Sequence, residues 1–160
     1  MKKLILLIIV AFTFTSCLTY KTVPVQIDPI SKVVEVDLDK NDAWVKANNW
    51  MVKTFVSSES VIEFSDKEAG VINGKYNLTT IVGGSQSGYT NSINASVFIQ
   101  CKDNTVKITV DPQDYNTFSS KSGSLYKAYM YPREDALASV NALIADFENY
   151  MINDKSLEDF

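Results

Sequence analysis

The 160-residue chain carries 15 Lys and Arg against 19 Asp and Glu, a net charge of −4, and contains no histidine. An acidic chain repels phosphate backbones, and no Lys/Arg run follows Lys3, so nucleic acid is not an expected partner. Without histidine the chain lacks the commonest general base, the Ser-His and Cys-His nucleophile pairs and the commonest metal ligand, so neither a metal nor another cofactor is expected.

Lys2 and Lys3 precede an unbroken apolar run, Leu4 to Phe12. That run is far shorter than the roughly 20 apolar residues a membrane-spanning helix needs, and Thr13, Thr15 and Ser16 interrupt it. Residues 1–16 therefore read as a signal peptide. Phe14-Thr15-Ser16-Cys17 resembles a lipobox, with Phe14 where Leu is usual, and the A-x-A-like site of an ordinary secretory signal is missing. Cys17 is expected to become the lipidated first residue of a domain anchored in the cell envelope, at the outer membrane, with the bilayer as partner. Loss of Lys2 and Lys3 would leave 13 basic against 19 acidic side chains, a net −6. Cys101 would then be the remaining thiol, so no intrachain disulfide could form and stability must come from packing.

Residues 17–30 contain Pro24 and Pro29 and no sustained period, which predicts an extended lipidated tether. A single domain is expected over residues 31–153. It opens on a half-buried strand in which Val34, Val36 and Leu38 alternate with Glu35 and Asp37. Asp39 or Asn41 can cap a helix to about Val56, on which Trp44, Ala47, Met51 and Phe55 share a face; Trp50 lies about 120° round and is expected to flank the interface. Strands are predicted at Val61 to Phe64 and, across the turn Asp66-Lys67-Glu68-Ala69, at Gly70 to Leu78. Ile93, Ala95, Val97, Ile99 and Cys101 then alternate with polar residues and Phe98, and Asp103-Asn104 turns the chain into Val106, Ile108 and Val110. Pro132, Glu134 and Asp135 start a second helix with Leu137, Val140, Ile144, Phe147 and Met151 on one face. Residues 154–160 read as a flexible tail.

The order is β-α-β-β-β-β-α. It predicts a two-layer α+β domain, a mainly antiparallel sheet with two helices on one face. The other face would present Glu35, Asp37, Asn94, Ser96, Gln100, Lys102, Lys107 and Thr109 and would be polar.

The opening strand Lys32-Val33-Val34-Glu35-Val36, the helix carrying Trp50, the strand Val61-Ile62-Glu63-Phe64 and the stretch from Asp66 to Lys75 resemble a family of Bacteroidetes-type lipoproteins known only as a domain of unknown function with a TBP-like fold. The likeness spans about residues 31 to 152. It implies a curved antiparallel sheet with two helices on one side, and it implies no catalytic residues. The TATA-binding protein uses such a sheet against DNA through aromatic wedges and basic side chains. Here the corresponding face lacks basic clustering, and its best-patterned strand offers Phe98 as its aromatic.

Asp37-Leu38-Asp39-Lys40-Asn41 imitates the start of a calcium loop, but Asp42 replaces the turn glycine and Asn48 the bidentate glutamate, so helix capping is the better reading. Asp66 and Glu68 fit a solvated turn better than an acid/base pair. Cys101 sits in line with Val97 and Ile99, as a core cysteine would. The glycine-rich run Gly83 to Gly88, ending at Tyr89, lacks the Gly-Lys-Ser/Thr of a phosphate loop. Tyr115, Phe118, Tyr126, Tyr129 and Tyr131 punctuate the segment between Pro112 and Pro132. With Tyr89 they are candidate ligand-binding residues, since tyrosine is a stiff amphipathic contact; equally, Leu125 to Met130 could form an extra strand packed at the sheet edge. The expected function is a non-enzymatic envelope module for a protein, peptide or glycan. The alternatives are a small carboxylate-dependent hydrolase and a structural subunit of an outer-membrane assembly.

Overall fold

Val34, Val106 and Cys101 lie side by side on three adjacent strands, all buried, and their chain neighbours face away from the core. The computed structural model describes residues 22–55, 61–82, 89–118 and 131–153, with side chains for all of these except 80–82 and 89–91. The expected signal peptide, Cys17, the run 83–88, Tyr126, Tyr129 and the 154–160 tail lie outside the described residues.

The elements in chain order are β1 (Thr22–Val25), β2 (Ile30–Glu35), α1 (Lys40–Thr54), β3 (Val61–Asp66), β4 (Val71–Val82), β5 (Tyr89–Lys102), β6 (Thr105–Pro112), β7 (Tyr115–Phe118) and α2 (Arg133–Asn153). The predicted order holds, with β1 and β7 added. Five strands form one curved, wholly antiparallel sheet in the order β2-β6-β5-β4-β3, and β1 pairs with β7 in a separate two-stranded sheet. Both helices pack on the same face of the large sheet, against Ile72, Val97, Ile99, Val106, Ile108 and Val110.

Local chemistry sets the boundaries. Asp39 caps α1, its Oδ1 accepting from the backbone N–H of Asn41 at 2.8 Å and of Asp42 at 2.9 Å. The turn from Asp66 closes with Ala69 N–H on Asp66 Oδ1 at 2.9 Å and Gly70 at φ +69°. A Cβ there would stand 2.6 Å from Cys101 O, so only glycine fits. Asn104, at φ 61°, turns β5 into β6.

Two expectations are corrected. Trp50 does not flank the interface; it is 1% exposed and lies between Phe55 and Phe147, the latter 4.9 Å away edge to face. One face of α1 meets the sheet and the adjacent one meets α2, so the apolar arc is wider than a single stripe. The second correction concerns residues 17–30. From Thr22 onward they belong to the fold: β1 pairs with β7, and Val25 and Ile27 are buried in the core. Pro24 is compatible with this because β1 is paired on one side only, and edge strands are where proline is tolerated in a sheet.

Candidate functional site

The face of the large sheet opposite the helices is solvent-exposed, as the alternation predicts. Glu35, Asn94, Gln100, Lys102 and Lys107 all point outward from it. The register also sets a row across all five strands: Phe64, Asn73, Phe98, Thr109 and Ser31. Ser31 and Thr109 hydroxyls share a hydrogen bond at 2.8 Å at one end, and the rings of Phe98 and Phe64 are 37% and 53% exposed toward the other. Two strand spacings separate the rings, roughly 10 Å.

Phe64 escapes a reading by alternation. In a regular strand Ile62 and Phe64 would share a face, but the register of β3 shifts between them. Ile62 stays opposite Gly74 and packs on the core, while Phe64 comes opposite Asn73 and turns outward.

At one corner of this face lies an open cavity of about 620 Å³. Its floor is β4 and β5, which present Lys75, Asn77, Ser92 and Asn94; its wall is Gln113, Asp114 and Tyr115. The wall exists because β6 ends at Pro112, after which Gln113 N–H bonds back to Asn94 O at 2.9 Å and the chain departs to join β1 as β7. Asn77 and Asn94 are direct cross-strand partners, so both amides project to the same side. The charges are already engaged: Lys75 Nζ is 2.6 Å from Glu63 Oε1, and Asp114 Oδ2 accepts from Gln26 Nε2 at 2.8 Å. The cavity thus presents amide and hydroxyl groups beside an aromatic ring. Among the described residues no group of three or more His, Cys, Asp or Glu could hold a metal.

The tyrosine candidates separate. Tyr115 is half-buried at the cavity wall, its hydroxyl donating to Tyr131 O at 2.9 Å; burial first, then the neighbouring Tyr131 and the acids Asp135 and Glu134, push its pKa up to about 12, against a lowering by Arg133. Tyr131 is 3% exposed, its N–H bonds Thr117 Oγ1 at 2.7 Å, and its hydroxyl lies 3.3 Å from both Leu78 O and Ser139 Oγ. It is a buried residue that fastens the start of α2 to β4 and β7. Phe118 ends β7 half-exposed. Tyr89 opens β5 opposite Val82 of β4, but its side chain is outside the description, and Tyr126 and Tyr129 are outside it altogether. Cys101 is buried as expected, and burial lifts its thiol pKa to about 12.

The family model of a domain of unknown function with TBP-like fold, DUF4468, matches residues 31–116. The chain belongs to this family. The DUF4468 match takes in the large sheet and α1, and leaves β1 and α2 outside it. Among solved structures, a TBP-like protein from Parabacteroides distasonis ATCC 8503 is similar at a TM-score of 0.56 and 18% identity, over 77% of this chain and 91% of that one. A DUF4468 family protein from Bacteroides ovatus ATCC 8483 is similar at a TM-score of 0.45 and 17% identity, over 77% and 80% of the two chains. At 18% identity the first likeness is one of fold, and it agrees with the TBP-like arrangement described above. No curated protein matches the chain.

Proposed function

We propose that the protein is a non-enzymatic binding domain of the cell envelope, lipid-anchored through Cys17 at the outer membrane, whose contact surface for a protein, peptide or glycan is the open face of the large sheet. The observation that carries the reading is the segregation of the two faces. Both helices cover one, and among the described residues no helix lies on the other, which keeps Phe64 and Phe98 in solvent and a cavity at its corner. Exposed aromatics beside polar groups are what interfaces concentrate.

Nucleic acid fits this face poorly, since Lys75, Lys102 and Lys107 share it with Glu35, Glu63 and Asp111. A two-carboxylate hydrolase fits poorly too, because among the described residues lining the cavity Asp114 is the one acid. Among the described residues no helix is long and apolar enough to cross a membrane, so anchoring falls to the N-terminus in this reading. With β1 starting at Thr22, five residue steps from Cys17, an extended link reaches at most about 18 Å from the lipid. The domain would be held close to the bilayer.

The test is capture from detergent-solubilised envelope with the full chain, its Cys17→Ser variant and a Phe64→Ser/Phe98→Ser double variant. Metabolic labelling with a lipid probe should mark the wild type and not Cys17→Ser. The double variant should fold as the wild type does yet lose the captured partner. Equal labelling would remove the anchor, and equal capture would remove the face. Capture of a fixed set of outer-membrane proteins by every variant would favour a structural subunit instead.

A further inference from the structure

The corner cavity departs from the rest of the open face in its chemistry. Two exposed carboxamides, Asn94 and Gln113, reach it from β5 and the link after Pro112, with Asn77, whose Oδ1 is buried, and with Ser92 and Tyr115 beside them. At about 620 Å³ it falls within the range of small-ligand sites. Each ligand class makes a different demand on such a site.

An anion needs an available cation or a cluster of N–H donors. Here Lys75 is held by Glu63 at 2.6 Å, and Asp114 sets a negative charge in the wall. A cation needs converging carboxylates, and among the described residues Asp114 stands alone in the lining and already accepts from Gln26. A peptide strand adds itself to an exposed sheet edge through main-chain hydrogen bonds. Along the cavity floor β5 is bonded to β4, and on its other side the ladder with β6 begins at Ala95, with Gln113 N–H taking Asn94 O just before it. What the floor itself presents is side chains, those of Lys75, Asn77, Ser92 and Asn94.

A carboxamide offers a donor and an acceptor side by side, which matches adjacent hydroxyls, each of them donor and acceptor at once. An aromatic ring supplies an apolar surface for C–H groups. We infer that the corner cavity bounded by Asn77, Asn94, Gln113 and Tyr115 is a binding site for a neutral saccharide, an inference that rests on the binding-domain reading and gives it a ligand class. Asn94 and Gln113 are exposed, so their truncation leaves the core intact, while Tyr115 also anchors Tyr131 and is not a clean probe.

The experiment uses the full chain in detergent on a printed array of neutral and acidic glycans, followed by NMR titration with the best neutral oligosaccharide, with glucuronate and inorganic phosphate as separate arms. The expected result is binding to neutral glycans, with saturable shifts of the Asn77, Asn94 and Gln113 side-chain amide signals. Asn94→Ala and Gln113→Ala should each weaken that binding about tenfold while leaving the remaining spectrum in place. The inference is overturned by an array silent for neutral glycans, by shifts that map elsewhere, by variants that bind as the wild type does, or by tighter binding of glucuronate or phosphate. If the neutral glycans are silent while an envelope protein is still captured through Phe64 and Phe98, the sugar alone falls. Silence in both experiments removes the binding domain as well.

Discussion

The indole N–H of Trp50 donates to Asp146 Oδ2 at 2.8 Å, a hydrogen bond that joins the middle of α1 to α2 across the layer above the sheet. It satisfies the polar atom of a side chain that is otherwise packed against Phe55 and Phe147. Trp50→Ala should cost about 3–5 kcal/mol, the range for emptying a large core aromatic site. Asp146→Ala keeps the packing but leaves the buried indole N–H without its partner, so a loss of about 1–3 kcal/mol is expected. Urea midpoints of the two variants check the ranking, and an Asp146→Ala as costly as Trp50→Ala would mean the carboxylate supports more than this bond.

Tyr131 gives a second stability prediction, and one that separates core from surface. Its ring packs against Tyr115 at a tilt of 44°, with centroids 5.6 Å apart, and its hydroxyl reaches Leu78 O and Ser139 Oγ. Tyr131→Ala should destabilise by about 3–5 kcal/mol, whereas Tyr131→Phe, which loses only the hydroxyl contacts, should cost about 1 kcal/mol. Chemical denaturation decides it; a Tyr131→Ala as stable as the wild type would restore this residue to the contact surface.

Alkaline pH should unfold the domain earlier than ordinary tyrosine titration would suggest. Burial raises Cys101 from 9.0 and Tyr115 from 10.0, each to about 12, and it raises Tyr131 and Tyr76 as well. In every case folding favours the neutral form. The stability linked to these groups is therefore complete below their unfolded values and is lost as pH rises from about 9 toward 12. Urea midpoints should hold steady up to about pH 9 and fall beyond it, and Tyr115→Phe should make the fall shallower.

Much of this architecture is legible in residue periodicity. The alternation of Ile93 to Cys101 places β5, the start of α1 is narrowed to Asp39 or Asn41, of which Asp39 is the cap, and the Asp66 to Gly70 turn and the Asp103-Asn104 hairpin follow from local chemistry. What escapes is set by contacts between distant segments. Pro24 disguises β1, which is a strand only because β7, more than 90 residues later, lies beside it. Trp50 looks peripheral until α2 supplies the other half of its surroundings. Phe64 faces outward only because of a one-residue register shift in β3. The cavity is the least legible feature. Asn77, Asn94 and Gln113 are unremarkable polar residues in sequence, and only the pairing of β4 with β5 and the departure of the chain after Pro112 bring them together.

The claim that the open sheet face is the contact surface is tested most directly by hydroxyl-radical footprinting of the full chain in its own envelope fraction, compared with the purified chain in detergent. Phe64 and Phe98 report on the open face, and Val52 and Ile152, each 57% exposed, report on the helices. The account predicts that Phe64 and Phe98 are protected in the envelope while Val52 and Ile152 react at unchanged rates. Protection of Val52 and Ile152 with Phe64 and Phe98 still fully reactive would contradict it and move the contact surface to the helical side.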